Sequence, residues 1–148
     1  MKIGRILCPI DFSDQSQAAL DRAEGLAEAF GAELLVLHVV EPVLYPVAYG
    51  LAATAAVDLA AEACKGAELA LGPVIEALKE RGVSAAPLVA EGTASLRICE
   101  LAEERDVDLV VMATHGLTGV RHLLIGSTAE RVVRRCVCPV MTVKTSAP

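Results

Sequence analysis

"VDLVVMAT" at residues 107–114 is the most hydrophobic run of the chain, and it leads straight into "HGLTGVRHLLIGSTAERV" at 115–132. A short apolar run that ends in a glycine-bearing loop and then a polar helix start reads as a buried strand, a crossing loop and a helix. The helix runs from Ser127 to about Arg135, and "CPVMTVK" at 138–144 closes the chain as a further strand. Such a strand–loop–helix–strand unit is how parallel neighbours in a sheet are joined, because they need a crossover connection.

The same alternation holds toward the N-terminus. "IGRILCPI" (3–10) is an apolar run ending at Pro9 and Asp11, a first strand whose carboxyl end lies in "PIDFSD". Ser13 or Asp14 then caps a helix in which Ala19, Ala23, Leu26, Ala27 and Phe30 share one face, and Gly31 stops it where a left-handed residue is wanted. "ELLVLHVV" (33–40) is the second strand. An alanine-rich helix from about Asp58 to Glu80, ended by Arg81-Gly82, leads to "SAAPLVAEG" (84–92), a weaker third strand bearing a proline. Thr93 to Arg105 is a helix with Ala94, Ile98, Leu101 and Ala102 on its inner face.

Strands one, two and four are near-continuous apolar runs, as expected when helices cover both faces of a parallel sheet. The expectation is therefore an α/β fold: a single doubly wound domain over 1–148, with a five-stranded, mainly parallel sheet in the order 3-2-1-4-5 and helices on both faces. In such folds ligands bind outside the carboxyl ends of the strands. Here those ends are the loops "PIDFS", "HVVEP", "AEGT" and "ATHGLTGVRHLLIGST".

Composition narrows the partners. The chain is 54% hydrophobic, which places it far from disordered sequences, and its net charge is −6 with the basic residues scattered. No dense positive stripe exists for nucleic acid, so DNA and RNA are not expected partners. The uncharged stretch Pro42 to Val57 carries two prolines and a glycine and falls short of the about 20 apolar residues of a membrane span. It holds both tyrosines, Tyr45 and Tyr49, and reads either as a flap or contact surface or as packing on the protein's own flank. Pro9 and Asp11 interrupt what a signal peptide would need, and the five cysteines (8, 64, 99, 136, 138) form no CxxC pair, so reduced thiols in a cytoplasmic protein are expected.

Two readings of the glycine loop compete. Gly116, Gly119 and Gly126 let a backbone pass close to a ligand, and the amides of Gly126, Ser127 and Thr128 at a helix start favour an anion. The loop lacks both the lysine of GxxxxGKS/T and the GxGxxG turn, so neither of those mechanisms applies. Against the phosphate reading, Ser127 and Glu130 form S-x-x-E, a capping box that would satisfy the free amides with the protein's own atoms. Asp11, similarly, is placed either to accept hydrogen bonds from a ligand's hydroxyl or amino donors or to begin the turn and support the helix cap behind it. His38, inside an apolar strand, reads as a satisfied structural histidine. His115 has no second acid, nucleophile or ligand set spaced to work with it and reads as a loop or pocket-wall residue. No catalytic constellation and no metal-ligand set is evident.

The glycine segment resembles the signature of the universal stress protein family, whose ATP-binding branch reads G-x-x-G, nine residues, then G-S or G-T. Gly116, nine residues and Gly126-Ser127 match; Ala113 stands where the first glycine belongs. Its extra methyl is harmless with an ordinary backbone angle and obstructive if φ is positive. "ILCPIDFSDQSQAAL", "LLVLHVVEP", "DLVVMATHG", "LLIGSTAERVVRRC" and "CPVMTVK" extend the resemblance over essentially the whole chain.

The resemblance implies ATP or another adenine nucleotide, with Mg²⁺, at the strand ends. Pro9, Ile10, Asp11 and Val39 would lie at the adenosine end, Met112, Ala113 and Gly116 along the middle, and Gly126, Ser127, Thr128 and Ala129 around the phosphates. Arg121 and His122 are placed either to reach phosphate oxygens or to be solvated. The final strand, an apolar edge, implies a homodimer through Pro139 to Lys144. The function implied is a cytoplasmic stress-response sensor or regulatory module. Its rivals are a dimeric interaction module that binds no nucleotide, or a slow ATPase. A phosphorylation receiver fits worse, because Glu91 ends the third strand and no acidic pair follows the first.

Overall fold

The computed structural model describes residues 2–42, 52–116 and 125–144, and in 52–58 only the backbone. The elements alternate as the sequence pattern requires: β1 (Arg5–Pro9), α1 (Asp14–Phe30), β2 (Glu33–Val40), α2 (Ala52–Glu80), β3 (Ala85–Glu91), α3 (Ala94–Glu104), β4 (Leu109–Ala113), α4 (Ser127–Arg135) and β5 (Val140–Val143). The sheet has the order β3-β2-β1-β4-β5. Every pairing is parallel. No helix of the described residues is long and apolar enough to cross a membrane.

Successive strand residues point to opposite faces, which divides the core in two. Ile6, Cys8, Leu34, Val36 and Val111 pack against Ala19, Ala23 and Ala27 of α1 and Leu71, Ile75 and Leu78 of α2. Leu7, Leu35, Leu37, Val110 and Met112 pack against Ile98, Leu101 and Ala102 of α3 and Ala129 and Val132 of α4. The alanines of α1 matter because a small side chain lets the helix approach the sheet closely. Cys8 is wholly buried, and that burial, followed by the charge of Asp21, pushes its thiol far above its ordinary range. It behaves as a packed apolar side chain.

Several local expectations are corrected. The second helix begins at Ala52 rather than near Asp58. Alanine is the strongest helix former, so the uncharged "AATAAV" winds without needing a charged face. Residues 43–51 of the uncharged stretch, with Tyr45 and Tyr49, lie outside the described residues. Phe30 is 51% exposed, and Leu20 takes a place in the core beside the alanines. On α3 the buried early residue is Ser95, while Ala94 is half-buried. β3 is no weak strand: it pairs with β2 from Leu34 opposite Ala85 to Val40 opposite Glu91. Pro87 is accommodated because β3 is an edge, where a missing N–H breaks no ladder bond.

The amino ends of the strands are closed by the protein itself. Asp108, just ahead of β4, accepts the amides of Gly4 at 2.7 Å and Arg5 at 3.0 Å, tying β1 to β4. Those two amides, Gly4 first, hold the Asp108 carboxyl below the usual carboxylate range. Gly31 takes the left-handed conformation (φ 62°) and donates to Glu28, while Ala32 donates to Ala27 at 2.9 Å, which satisfies the last carbonyls of α1.

Candidate functional site

At the opposite edge the carboxyl ends of β1, β2 and β4 and the N-termini of α3 and α4 enclose a cleft of about 450 Å³. Its floor is apolar, formed by Val39, Ile98 and Met112, and its rim is polar, with Asp11, Glu41, Thr114, His115, Ser127 and Thr128. All of the site residues expected from the sequence line it: Pro9, Ile10 and Asp11 from the end of β1, Val39 from β2, Met112 and Ala113 from β4, Gly116 beyond it, and Gly126, Ser127, Thr128 and Ala129 at the start of α4. Arg121, His122 and Gly119 lie outside the described residues.

The β1 end is shaped by one strained residue. The Ile10 amide still donates to Leu37 at 2.8 Å, extending the ladder past Pro9. Phe12 then adopts φ 62°, a left-handed conformation costly for a bulky side chain, and packs its ring on His38 with centroids 4.8 Å apart. The turn folds the Asp11 carboxylate back onto Ser13, where it accepts from both the amide (3.1 Å) and the hydroxyl. Ser13 in turn caps α1, its Oγ accepting from the Ser16 amide at 3.1 Å. Asp11 thus supports the helix cap and lines the cleft with the same carboxyl group. His38 is satisfied as expected, its Nδ1 lying 2.9 Å from the Ile10 carbonyl.

The β4 end carries the glycine loop. Ala113 lies in β4 opposite Val143 with no positive φ, so its methyl meets the harmless condition set above. The loop is closed at its base where the Gly126 amide donates to the Thr114 carbonyl at 2.7 Å. A Cβ on Gly126 would lie 2.9 Å from that same carbonyl oxygen, too close for a real side chain. Gly126 is therefore demanded first by the loop's own closure. At Gly116 a Cβ would overlap the Asp11 carboxylate, the end of a side chain that Ser13 holds by its amide and hydroxyl. His115 lines the cleft, with Nδ1 3.1 Å from Thr114 Oγ1.

The capping box expected from Ser127 and Glu130 does not form. Gly126 is the N-cap (φ −72°, ψ 155°), its carbonyl accepts the Glu130 amide at 2.9 Å, and among the described residues no side chain caps the helix. Ser127 is thereby the first helical residue, one position too late to act as a cap, and the Glu130 carboxylate pairs instead with Arg134 at 2.9 Å. The first-turn amides of Ser127, Thr128 and Ala129 have no helical carbonyl behind them, and all three residues line the cleft. Together with the helix dipole they form a place for an anion.

Glu41 was not singled out by the sequence. It lines the cleft just beyond β2, and its Oε1 accepts the Ala94 amide at 2.9 Å, closing the start of α3 where Thr93 offers no side-chain cap. The cleft therefore holds one helix start closed by a carboxylate and one left open. No lysine or arginine lines it among the described residues, and no group of three or more potential ligating side chains that could hold a metal ion occurs among them.

Comparison with known proteins agrees with this fold. The family model described as the universal stress protein family matches residues 2–144. A universal stress protein of Methanocaldococcus jannaschii is 38% identical over 142 residues, covering 95% of this chain and 81% of that protein. The structure of universal stress protein UspA from Lactobacillus plantarum shares the fold with a TM-score of 0.84 at 24% identity, over 97% of this chain and 99% of that one. A universal stress protein solved in complex with cAMP superposes with a TM-score of 0.66 at 25% identity, over 99% of this chain and 100% of that one. The chain belongs to the universal stress protein family.

Proposed function

We propose that this chain binds an adenine nucleotide, ATP with Mg²⁺, in the cleft at the carboxyl ends of the strands, and that residues 1–148 act as one cytoplasmic sensor or regulatory domain of the stress response. The observation that carries the reading is the N-terminus of α4, where the cap is a glycine, Ser127, Thr128 and Ala129 line the cleft, and no side chain among the described residues caps the helix. The triphosphate sits on Gly126, Ser127, Thr128 and Ala129. The ribose and base extend over Met112, Ala113 and Gly116 toward Pro9, Ile10, Asp11 and Val39, where an apolar floor suits a flat ring and Asp11 suits its donors. The described lining residues include Asp11 and Glu41 but no lysine or arginine, so Mg²⁺ bound with the triphosphate would supply the countercharge. The cAMP complex of a relative supports an adenine nucleotide as the ligand class.

The edge strand β5 presents Met141 at 40% exposure beside Val137 at 72%, an apolar border that supports pairing with a second copy through Pro139 to Lys144. Binding rather than turnover is the assigned activity, with slow hydrolysis as its alternative. The test is ligand-linked stability. Saturating MgATP at about 100 times Kd raises the unfolding free energy by roughly 2.7 kcal/mol, read as an upward shift in melting temperature. A purified chain that neither releases adenine nucleotide on denaturation nor responds to MgATP overturns the proposal.

A further inference from the structure

Cys99 on α3 and Cys136, the residue that ends α4, hold their sulfur atoms 3.0 Å apart, with the Cys136 thiol donating to Cys99. Cys138 lies close enough to interact with both. All three are half-buried, on the α3–α4 side of the sheet. The remaining thiols are elsewhere, Cys8 sealed in the opposite core and Cys64 on α2. A disulfide needs its sulfurs at about 2.0 Å, so closing the Cys99–Cys136 pair asks for a shift of only about 1 Å.

We propose that Cys99 and Cys136 form a modification site: a dithiol that hydrogen peroxide converts into an intramolecular disulfide joining α3 to α4. The Cys136 thiol donates to Cys99, which makes Cys99 the accepting sulfur of the pair, and the first attack is assigned to it, while burial pushes the Cys136 and Cys138 thiols up. The Cys99 thiolate attacks one peroxide oxygen, the O–O bond breaks, and Cys99 becomes a sulfenic acid while the other oxygen leaves as water after taking up a proton. The Cys136 sulfur then attacks the Cys99 sulfur, the S–O bond breaks, and the hydroxyl leaves as a second water with the Cys136 proton. Two thiols are oxidised by two electrons and one peroxide is reduced to two waters. The bond ties together the helix that carries Ala94 and Ile98 and the helix whose open start faces the cleft, so the site records oxidant on the elements that frame the ligand cleft.

The full-length reduced chain is treated with hydrogen peroxide under native conditions, alkylated and mapped by mass spectrometry. The expected product has lost two hydrogens and two of its five free thiols, links Cys99 to Cys136 within one chain, and reverts with dithiothreitol. It melts about 5–10 °C higher than the reduced form, because the cross-link restrains the unfolded chain. A chain carrying both Cys136→Ser and Cys138→Ser, which removes both neighbouring thiols, traps the Cys99 sulfenic acid, detectable as a dimedone adduct at that residue. Five persisting free thiols, a link through Cys8 or Cys64, a Cys99–Cys138 link in place of the proposed one, or a link between two chains overturns the assignment.

Discussion

The helices α1, α3 and α4 begin at the same edge of the sheet, and they begin differently. At α1 the protein supplies its own cap: Ser13 Oγ accepts the Ser16 amide, and Asp11 holds Ser13 in place. At α3 the carboxylate of Glu41 reaches across from β2 to the Ala94 amide. At α4 the cap is a glycine with nothing to offer but its backbone. Among the described residues the protein closes two of three neighbouring helix starts with its own oxygens and not the third, and the proposed placement of the phosphates rests on that contrast.

The largest structural effect is expected where the two loops touch. Gly116→Val places side-chain atoms in the space of the Asp11 carboxylate, so it should cost about 1–3 kcal/mol in chemical denaturation as an overpacking change. A cost near zero would mean that Asp11 can move away freely and is not a fixed wall of the cleft. Next in size is the cap of α1. Ser13→Ala should cost about 1 kcal/mol, the usual worth of an N-cap oxygen. Ser127→Ala is the matched control at α4, and because Ser127 caps nothing its effect should stay within about 0.5 kcal/mol. Equal losses at the two sites would erase the difference between a closed and an open helix start.

A third expectation concerns the opposite edge, where Asp108 accepts the Gly4 and Arg5 amides. Its folded-state pKa is depressed, so its contribution to stability is present above the ordinary carboxylate pKa and is lost as pH falls through the lowered value. Asp108→Asn should therefore flatten the acid limb of the stability curve, by a modest amount because the carboxyl is only partly buried, and leave neutral-pH nucleotide binding unchanged. A loss of binding in that variant would mean the two edges of the sheet are coupled.

Much of this architecture was legible because hydrophobic runs and breakers carry it. β2 and α4 fall at the residues expected, the alternation of strands and helices gives the parallel pairing, and the sheet order is the one expected. The lining residues were legible because they cluster at strand ends, where the fold places ligands. The S-x-x-E motif misled, since spacing alone does not say which residue takes the N-cap; the Gly126 carbonyl, accepting Glu130, moved Ser127 one place into the helix. Glu41 escaped notice because its partner, Ala94, lies 53 residues away and the pair forms no local pattern. The double duty of Gly126 and Gly116 was equally hidden, because each glycine is set by a contact with another segment, the Thr114 carbonyl in one case and the Asp11 carboxylate in the other.

The most direct test adds a charge at the open helix start and compares two ligands. Asp at the first turn of a helix is stabilising by about 0.3–1 kcal/mol through the helix dipole, so Ser127→Asp should keep or slightly raise the melting temperature. Calorimetric titration of that variant should show MgATP weakened at least about tenfold, or about 1.4 kcal/mol, with adenosine unaffected, since only the phosphates meet the new carboxylate. MgATP binding to Ser127→Asp with the affinity of the unaltered chain would contradict the placement of the phosphates on α4.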